Sequence, residues 1–314
     1  MKLAAIDIGT NSTRLLITDY CNKEFFPLER KMEITRLGKN VDKNKTILKD
    51  SARKTLEILS GYWRMLKDYD VKKYRTVGTS AVREASNGDW FVSYVYEHLG
   101  MRIDVVSGRE EAKLDFYGAV RNLVSNHQIH KPETGAAILV LDVGGGSTEF
   151  ILGDFNCSLE FARSIDLGSV SLTERFIGSG IPDNDDLTKM RQYITNKLEK
   201  TIEKIKTHKS LFIIGVAGTI TTLAAIDLKL KVYDSQKIHR HVLAFERIEE
   251  IQRHLCGLDL EKRKKVMGLD PARADIIIGG TEIVLVILKM LDSREILVSE
   301  RDILDGIIYS LIDF

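Results

Sequence analysis

Two stretches decide how this chain is read: AAIDIGTNSTRLLI, residues 4–17, and LVLDVGGGSTEFILG, residues 139–153. Each begins as an unbroken apolar run, the pattern of a strand covered on both faces. Each then reaches an Asp and a turn of Gly with Ser or Thr, and resumes as a second apolar run. That is the pattern of a hairpin with a polar, glycine-containing turn. At an offset of 135 residues, Asp7, Gly9, Ser12, Thr13 and Asp19 fall on Asp142, Gly144, Ser147, Thr148 and Asp154. The identities sit on the turn, so the chain reads as an internal duplication, two related domains that each open with the same hairpin.

The 314 residues fit two domains at about 150 residues each. The composition, 44% hydrophobic and 29% charged, is that of a packed globular protein rather than a disordered or fibrous one. With 46 Lys and Arg against 45 Asp and Glu, the net charge is +1, which argues against DNA or RNA held by bulk charge. Cys21, Cys157 and Cys256 are widely spaced and form no CxxC pair, so neither a disulfide framework nor a structural zinc site is expected. His127/His130 and His239/His241 are the close histidine pairs, and both read as ordinary loop or strand residues. The N-terminus reaches Asp7 before the apolar core of a signal peptide could form, and the run from Ile283 to Leu288 is far too short for a membrane span. The expectation is a cytoplasmic protein with no membrane partner.

Further along, apolar Leu56, Leu59, Trp63 and Leu66 mark a helix over 51–67. A strand at 74–78 follows, then a helix capped by Asp89 and running to Leu99, then a strand at 102–106. Ser107-Gly108-Arg109-Glu110 has the S-x-x-E spacing of a capping box and opens another helix. Glu111, one residue on, is not needed for that cap. Residues 126–136, with Pro132 and Gly135, read as a connection between domains. In the second half we expect a helix over 185–207, a strand at 211–215, an apolar helix over 280–291, a strand at 295–299 and a last helix over 303–312.

Three loops share one design: a buried strand followed by Gly with Ser or Thr, at 7–12, 142–149 and 215–222. Glycine allows successive backbone N–H groups to face one anion, and hydroxyls add donors without bulk. An Asp at the strand end repels phosphate unless a divalent cation stands between them, and Mg²⁺ takes one or two carboxylates plus phosphate oxygens. A nucleotide or phosphate site is therefore expected. No P-loop or Rossmann fingerprint is present.

The pair DIGTNS and DVGGGSTE, with GVAGTITT, resembles the phosphate and adenosine loops of the actin/hexokinase superfamily. AAIDIGTNSTRLLI, VGTSAVREASN, VSGREEAKLDFYG, LVLDVGGGSTEFILG and DLGSVSLTERF, in this order, resemble the exopolyphosphatase/guanosine pentaphosphate phosphohydrolase family. RADIIIGG from residue 273 and VSERDILDG from residue 298 extend the match over nearly the whole chain. The resemblance implies an α/β fold of two ribonuclease H-like, actin-like ATPase domains with an active-site cleft between them. It places the first domain at 1–125 with 300–314, the last helix packing back on it, and the second at 126–299.

The implied reaction is Mg²⁺-dependent hydrolysis of a terminal phosphoanhydride, releasing phosphate from polyphosphate, from pppGpp, or from both. By position, Glu111 matches the family's catalytic glutamate, which activates water. Asp142 and Glu149 match acidic positions that hold Mg²⁺ and position water, with Asp7 as a further metal candidate and Glu149 also counted as catalytic. Gly144, Gly145, Gly146, Ser147 and Thr148 would cradle phosphate opposite Asn11 and Ser12, and Arg83 matches an arginine that contacts substrate phosphates. Such a set suits phosphoryl transfer, which needs positioning and charge neutralisation more than covalent chemistry.

The family's C-terminal signature usually carries a glycine and an arginine where this chain has residues 302–306, so that arginine's role does not transfer. Long members also add C-terminal helical domains, and a chain ending at Phe314 is expected to prefer shorter polyphosphate or pppGpp. Dimerisation is common in the family, making a homodimer a further expectation. A locally basic track is expected at Lys43/Lys45/Lys49/Arg53, at Lys197, Lys200, Lys204, Lys206 and Lys209, or at residues 262–265, although solvated faces balanced by acids are the commoner use of such runs. Two other functions stay open: an ATP-dependent kinase of the same superfamily, and a non-catalytic sensor of polyphosphate, pppGpp or ppGpp.

Overall fold

The computed structural model describes residues 1–39, 41–125, 136–178, 180–208 and 210–312. The first elements in chain order are β1 (Lys2–Ile8), β2 (Ser12–Cys21), β3 (Glu24–Ile34), α1 (Val41–Asn44) and α2 (Lys49–Asp68). Then come β4 (Lys73–Gly78), α3 (Ser80–Glu84), α4 (Gly88–Leu99), β5 (Asp104–Val105) and α5 (Gly108–Ser125). Next are β6 (Ala137–Val143), β7 (Thr148–Gly153), β8 (Leu159–Ile165), α6 (Ser169–Phe176), α7 (Asn184–Ile205), β9 (Leu211–Val216) and α8 (Ala217–Asp227). The chain closes with α9 (Ser235–Ile238), β10 (Val242–Ala244), α10 (Phe245–Cys256), α11 (Leu260–Arg263), α12 (Ile277–Met290), β11 (Glu295–Val298) and α13 (Ile303–Ser310). These form two compact units, Met1–Gly118 with Asp302–Phe314, and Ala119–Arg301.

In the first unit the described residues form a sheet in the order β3-β2-β1-β4-β5, with β1 antiparallel to β2 and parallel to β4. Strand β1 is apolar from Leu3 to Ile8 except for Asp7 because both its faces are covered. Ala4, Ile6 and Ile8 pack with Leu59, Tyr62 and Leu66 of α2 and with Phe91 and Val95 of α4. Leu3 and Ala5 pack with Leu304, Ile307, Ile308 and Tyr309 of α13 on the other side. Helix α2 buries Ala52, Thr55, Leu59, Tyr62 and Leu66, the alternating three- and four-residue spacing of one helical face. Full burial of a side chain such as Leu59 contributes about 1.5–3 kcal/mol.

In the second unit the order is β10-β11-β9-β6-β7-β8, with β6 antiparallel to β7 and parallel to β9. Its core joins these strands to α7, α8, α10 and α12. Helix α12 is buried on every side from Ile277 to Leu288, which explains its lack of polar periodicity.

The duplication extends to the backbone. Each unit carries a three-stranded antiparallel meander whose first strand pairs in parallel with a later one. The Gly9 N–H donates to Ser12 O at 2.9 Å, and the Gly144 N–H to Ser147 O at 2.9 Å. The ladder to the third strand slips between Ile17 and Thr18 in one unit and between Leu152 and Gly153 in the other. That is the same 135-residue offset.

The structure departs from the sequence reading where the local signal is polar. Strands β3 and β8 were not expected; both are sheet edges with mostly exposed, mixed-charge residues. Residues 80–84 form the short helix α3, and 235–263 hold α9, β10, α10 and α11. Helix α4 starts at Gly88, so Asp89 lies in its first turn while Asn87 is the capping position. The apolar helix expected over 280–291 is α12, beginning at Ile277. The connection expected at 126–136 lies, apart from Ala136, outside the described residues. Among the described residues no helix is long and apolar enough to cross a membrane.

Candidate active site

The sequence-derived residues fall into two groups, one on each unit. In the first unit, both Gly9–Ser12 and α3 start at the carboxyl ends of neighbouring parallel strands, β1 and β4. Such strand ends are where open α/β sheets bind ligands. The two segments are tied together: the Thr79 N–H and hydroxyl both donate to Ile8 O at 3.2 Å, and Thr10 Oγ1 and Ser80 Oγ share a 2.7 Å hydrogen bond. Asn11 is exposed and Ser12 half-buried on this turn, while Asn11 O accepts from the backbone of Thr35 and Arg36.

Arg83 and Glu111 meet in the same unit. Arg83 Nη1 donates to Glu111 Oε2 at 2.7 Å and to Val106 O at 3.0 Å. Both side chains keep about three-tenths of their surface exposed, 28% and 31%. Ser107 caps α5 by accepting from the Glu110 N–H at 3.2 Å. The Glu110 carboxylate does not return to close a capping box; Arg75 Nη2 holds it at 2.7 Å. Two adjacent glutamates are thus fixed by two different arginines.

Asp7 is buried in β1, and β2 places Arg14 opposite it. Arg14 donates Nε and Nη2 to Asp7 Oδ2, and Asp302, the N-cap of α13, accepts Arg14 Nη1 at 2.7 Å. Arg30 pairs with both Asp302 and Asp305. The acids in the divergent C-terminal signature are therefore met by guanidinium groups from β2 and β3. Burial pushes the Asp7 carboxyl above the usual carboxylate range, an effect Arg14 only partly offsets. Burial pushes Asp302 the same way, but Arg14 and Arg30 together hold it below that range.

In the second unit, antiparallel register sets Asp142 directly opposite Glu149 across β6 and β7, so the two carboxylates share one face of the sheet. Both are half-buried. Glu149 Oε1 accepts from Ser147 Oγ at 2.6 Å and from Ser164 Oγ of β8 at 2.7 Å. Gly144 and Gly145 present their carbonyls to the first N–H groups of α6, Ser169 and Val170. Thr148 is fully buried and donates to Leu167 O, so it holds the loop from beneath. None of Gly144, Gly145 and Gly146 has a positive φ. The need for glycine is sharpest at Gly168, whose missing side chain would lie 2.2 Å from Gly145 O.

The third loop runs from β9 into α8, at the end of the strand neighbouring β6. Ala217 sits there at φ 63°, a left-handed conformation that costs a non-glycine residue about 1 kcal/mol or more. Gly218 lies directly beneath the Arg273 guanidinium, which any side chain there would have to push aside. His239 and His241 do not converge: His239 Nδ1 accepts from the Glu300 N–H, and His241 Nε2 pairs with Asp227.

The donor chemistry suits a hard cation. Asp142 and Glu149 supply adjacent oxygens, and Asp7 Oδ1 is a buried carboxylate oxygen with no hydrogen-bond partner. Among the described residues no three His, Cys, Asp or Glu side chains gather as a metal cage. Mg²⁺ fits the Asp142–Glu149 pair, since it is bound through one or two carboxylates with water and phosphate completing the shell.

Arg14, Ser164 and Asp302 escaped the sequence reading. Arg14 and Ser164 become visible only once strand register is known, because each acts on a residue in the neighbouring strand. Arg273 stood at the head of RADIIIGG, but nothing local tied it to the loop at 215–222.

The Ppx/GppA phosphatase family model matches residues 16–313. The chain is 34% identical over 323 aligned positions to exopolyphosphatase 2 of Mycobacterium tuberculosis, covering 99% of this chain and 98% of that protein. The structure superposes on the Aquifex aeolicus Ppx/GppA phosphatase with a TM-score of 0.87 at 27% identity, covering 99% of both chains. An exopolyphosphatase from Cytophaga hutchinsonii gives a TM-score of 0.82 at 26% identity, over 100% of this chain and 98% of that one. With two related α/β units of the actin-like fold, a full-length match and the motif residues in place, the chain belongs to the Ppx/GppA phosphatase family.

Proposed function

We propose that this protein is a Mg²⁺-dependent hydrolase of terminal phosphoanhydride bonds, acting on inorganic polyphosphate, on the 5′ end of pppGpp, or on both. The observation that carries the reading is the Arg83–Glu111 pair: a carboxylate at the start of α5 held by an arginine rather than spent on the helix cap. The names of the Mycobacterium and Cytophaga relatives favour polyphosphate as substrate.

Substrate phosphate is bound by the backbone N–H groups of Gly145–Ser147 in the second unit and by Asn11 and Ser12 in the first. Arg83 contacts its oxygens and keeps Glu111 oriented. Glu111 accepts a proton from water as that water forms a bond to the terminal phosphorus. The bridging P–O bond breaks, its electron pair leaves with the shortened chain, and inorganic phosphate is released. Asp142 and Glu149 in the second unit, and Asp7 in the first, are the residues that would hold Mg²⁺, which when bound would supply neutralisation of phosphate charge. Arg14 keeps Asp7 fixed, and Ser147 and Ser164 keep Glu149 fixed.

The test is phosphate release from polyphosphate and from pppGpp, side by side, with no acceptor present and with Glu111→Gln as control. Release that depends on Glu111 supports hydrolysis. Transfer only when an acceptor is added would establish a kinase instead, and binding without turnover a sensor.

A further inference from the structure

Helix α5 carries Glu111 in its first turn. The first turn is the softest part of a helix, because its N–H groups have no partner inside the helix. A carboxylate that takes a proton from a positioned water works only if that turn is held still. Within the first unit, three sets of contacts hold α5. Arg83 Nη1 donates to Glu111 Oε2 at 2.7 Å. Arg75 of β4 donates Nη2 to Glu110 Oε1, also at 2.7 Å. Farther along, α5 crosses α13 backbone against backbone: a Cβ at Gly118 would collide with Asp302 O, and one at Gly306 with Leu114 O.

The glycine crossing seats the body of α5, and the two arginines seat its first turn. Adjacent helical residues are turned about 100° apart. An anchor on Glu111 alone lets the turn roll about the helix axis, whereas anchors on Glu110 and Glu111 pull from different sides and stop it. Both arginines come from one short stretch: Arg75 is in β4, and Arg83 is in α3, which follows that strand.

Arg75 is itself fixed. Its Nε donates to Asp104 of β5 at 3.0 Å and its Nη1 to Ser310 Oγ of α13 at 3.2 Å. Ser310 Oγ in turn donates to Ile307 O at 2.7 Å. The rigid fork of a guanidinium allows one side chain to join β5, α5 and α13 in this way.

Resting on the hydrolase reading above, we infer that Arg75 is a positioning residue for the reaction: through Glu110 it fixes the roll of α5, and so the direction in which Glu111 presents its carboxylate to water. The pairing has an electrostatic side as well. Released from Arg75, the Glu110 carboxylate stands beside Glu111 with its charge uncompensated, which disfavours the ionised form that accepts the proton. The other charged groups around this turn are Arg83 and Glu84 of α3, Asp104 of β5 and, one turn along α5, Asp115. All of them remain when Arg75 is replaced.

The experiment measures phosphate release as a function of pH for wild type, R75Q, R75K, E110A, R75Q/E110A and E111Q, with circular dichroism to confirm each fold. R102Q, which removes the same charge from an exposed position in the first unit, is the control. R75Q and E110A are each expected to lower kcat about 10–100-fold at unchanged KM, since a misplacement of about 1 Å can cost about 100-fold. The double variant should be no slower than either single one, because both remove the same anchor. R75K keeps the charge with a shorter reach and should lose less than R75Q. The acid limb of kcat/KM should move to higher pH in R75Q and return toward its wild-type position in R75Q/E110A. Wild-type kcat in folded R75Q or E110A would overturn the inference while leaving hydrolysis standing. So would an acid limb that stays in place in R75Q, losses that multiply in the double variant, or an equal loss in R102Q. Full turnover in E111Q, or a wild type that releases no phosphate from polyphosphate or pppGpp, would overturn the hydrolase reading and this one with it.

Discussion

Arg14 clamps Asp7 through two of its nitrogens, Nε at 2.9 Å and Nη2 at 2.7 Å, both on Oδ2. The other end of the guanidinium is taken by Asp302. Removing the arginine leaves two carboxylates facing a common gap. Arg14→Gln is therefore expected to cost about 3 kcal/mol at pH 7, read by urea unfolding. Asp302 is held below its ordinary value, so its contribution is present at neutral pH and disappears as pH falls through that lowered value. Asp7 is raised, so its ionisation works against the fold as pH rises. Both effects make the Arg14→Gln penalty shrink on acidification, and a penalty that grows with acid would contradict this account.

Glu111→Gln keeps the shape of the side chain and removes its capacity to take a proton. A fall in kcat of roughly 10²–10⁴-fold is expected, with an unchanged circular dichroism spectrum. Retained turnover in a folded variant would remove Glu111 from the role of base.

Glu149→Gln is expected to raise the Mg²⁺ concentration needed for half-maximal activity by about 10–100-fold, and Ser164→Ala by less. Titrating Mn²⁺ by electron paramagnetic resonance without substrate checks the same order independently of turnover. If Ser164→Ala has the larger effect, the serine acts on something other than the Glu149 carboxylate.

Gly168 and Gly146 should respond oppositely to alanine. A methyl at Gly168 meets Gly145 C at 2.3 Å and Gly146 N at 2.4 Å, so Gly168→Ala displaces the loop and costs at least about 1–3 kcal/mol with loss of activity. At Gly146 nothing lies within 4 Å, and Gly146→Ala should leave the melting temperature near wild type. Thermal melts of the pair decide it.

His239 is pushed down to about 4, first by burial and then by Arg301 and Arg240. The folded state thus stays neutral at this position while the unfolded chain takes up a proton below about pH 6.5. Stability should fall by about 1–3 kcal/mol as pH drops from 6.5 through 4. Imidazole NMR signals that titrate near 6.5 in the folded protein would refute this.

The hairpins, the parallel strands and the apolar helices were legible because burial on both faces leaves a long apolar signature, as in β1 and α12. Strands β3 and β8 were not, since an edge strand facing water needs no apolar alternation. In the site, Glu111 and Arg83 were readable as motif positions, but not their bond, which spans 28 residues. The Ser107 cap was half right, since Arg75 arrives from a distant strand to take Glu110. Gly168 was passed over because its constraint comes from a backbone packed against it rather than from its own dihedral angles, φ −131° and ψ 164°.

The first unit is not contiguous in the chain: Met1–Gly118 is completed by Asp302–Phe314. Helix α13 supplies Leu304, Ile307, Ile308 and Tyr309 to the face of β1 that α2 does not cover, and Asp302 to Arg14. On the ribosome, that face stays bare until α13 emerges, whereas everything in Ala119–Arg301 is available earlier. The order of maturation is therefore inverted relative to the order of synthesis: the unit translated first is the one finished last. Nascent chains stalled before α13 should carry a settled second unit beside a first unit still open to chaperones and proteases.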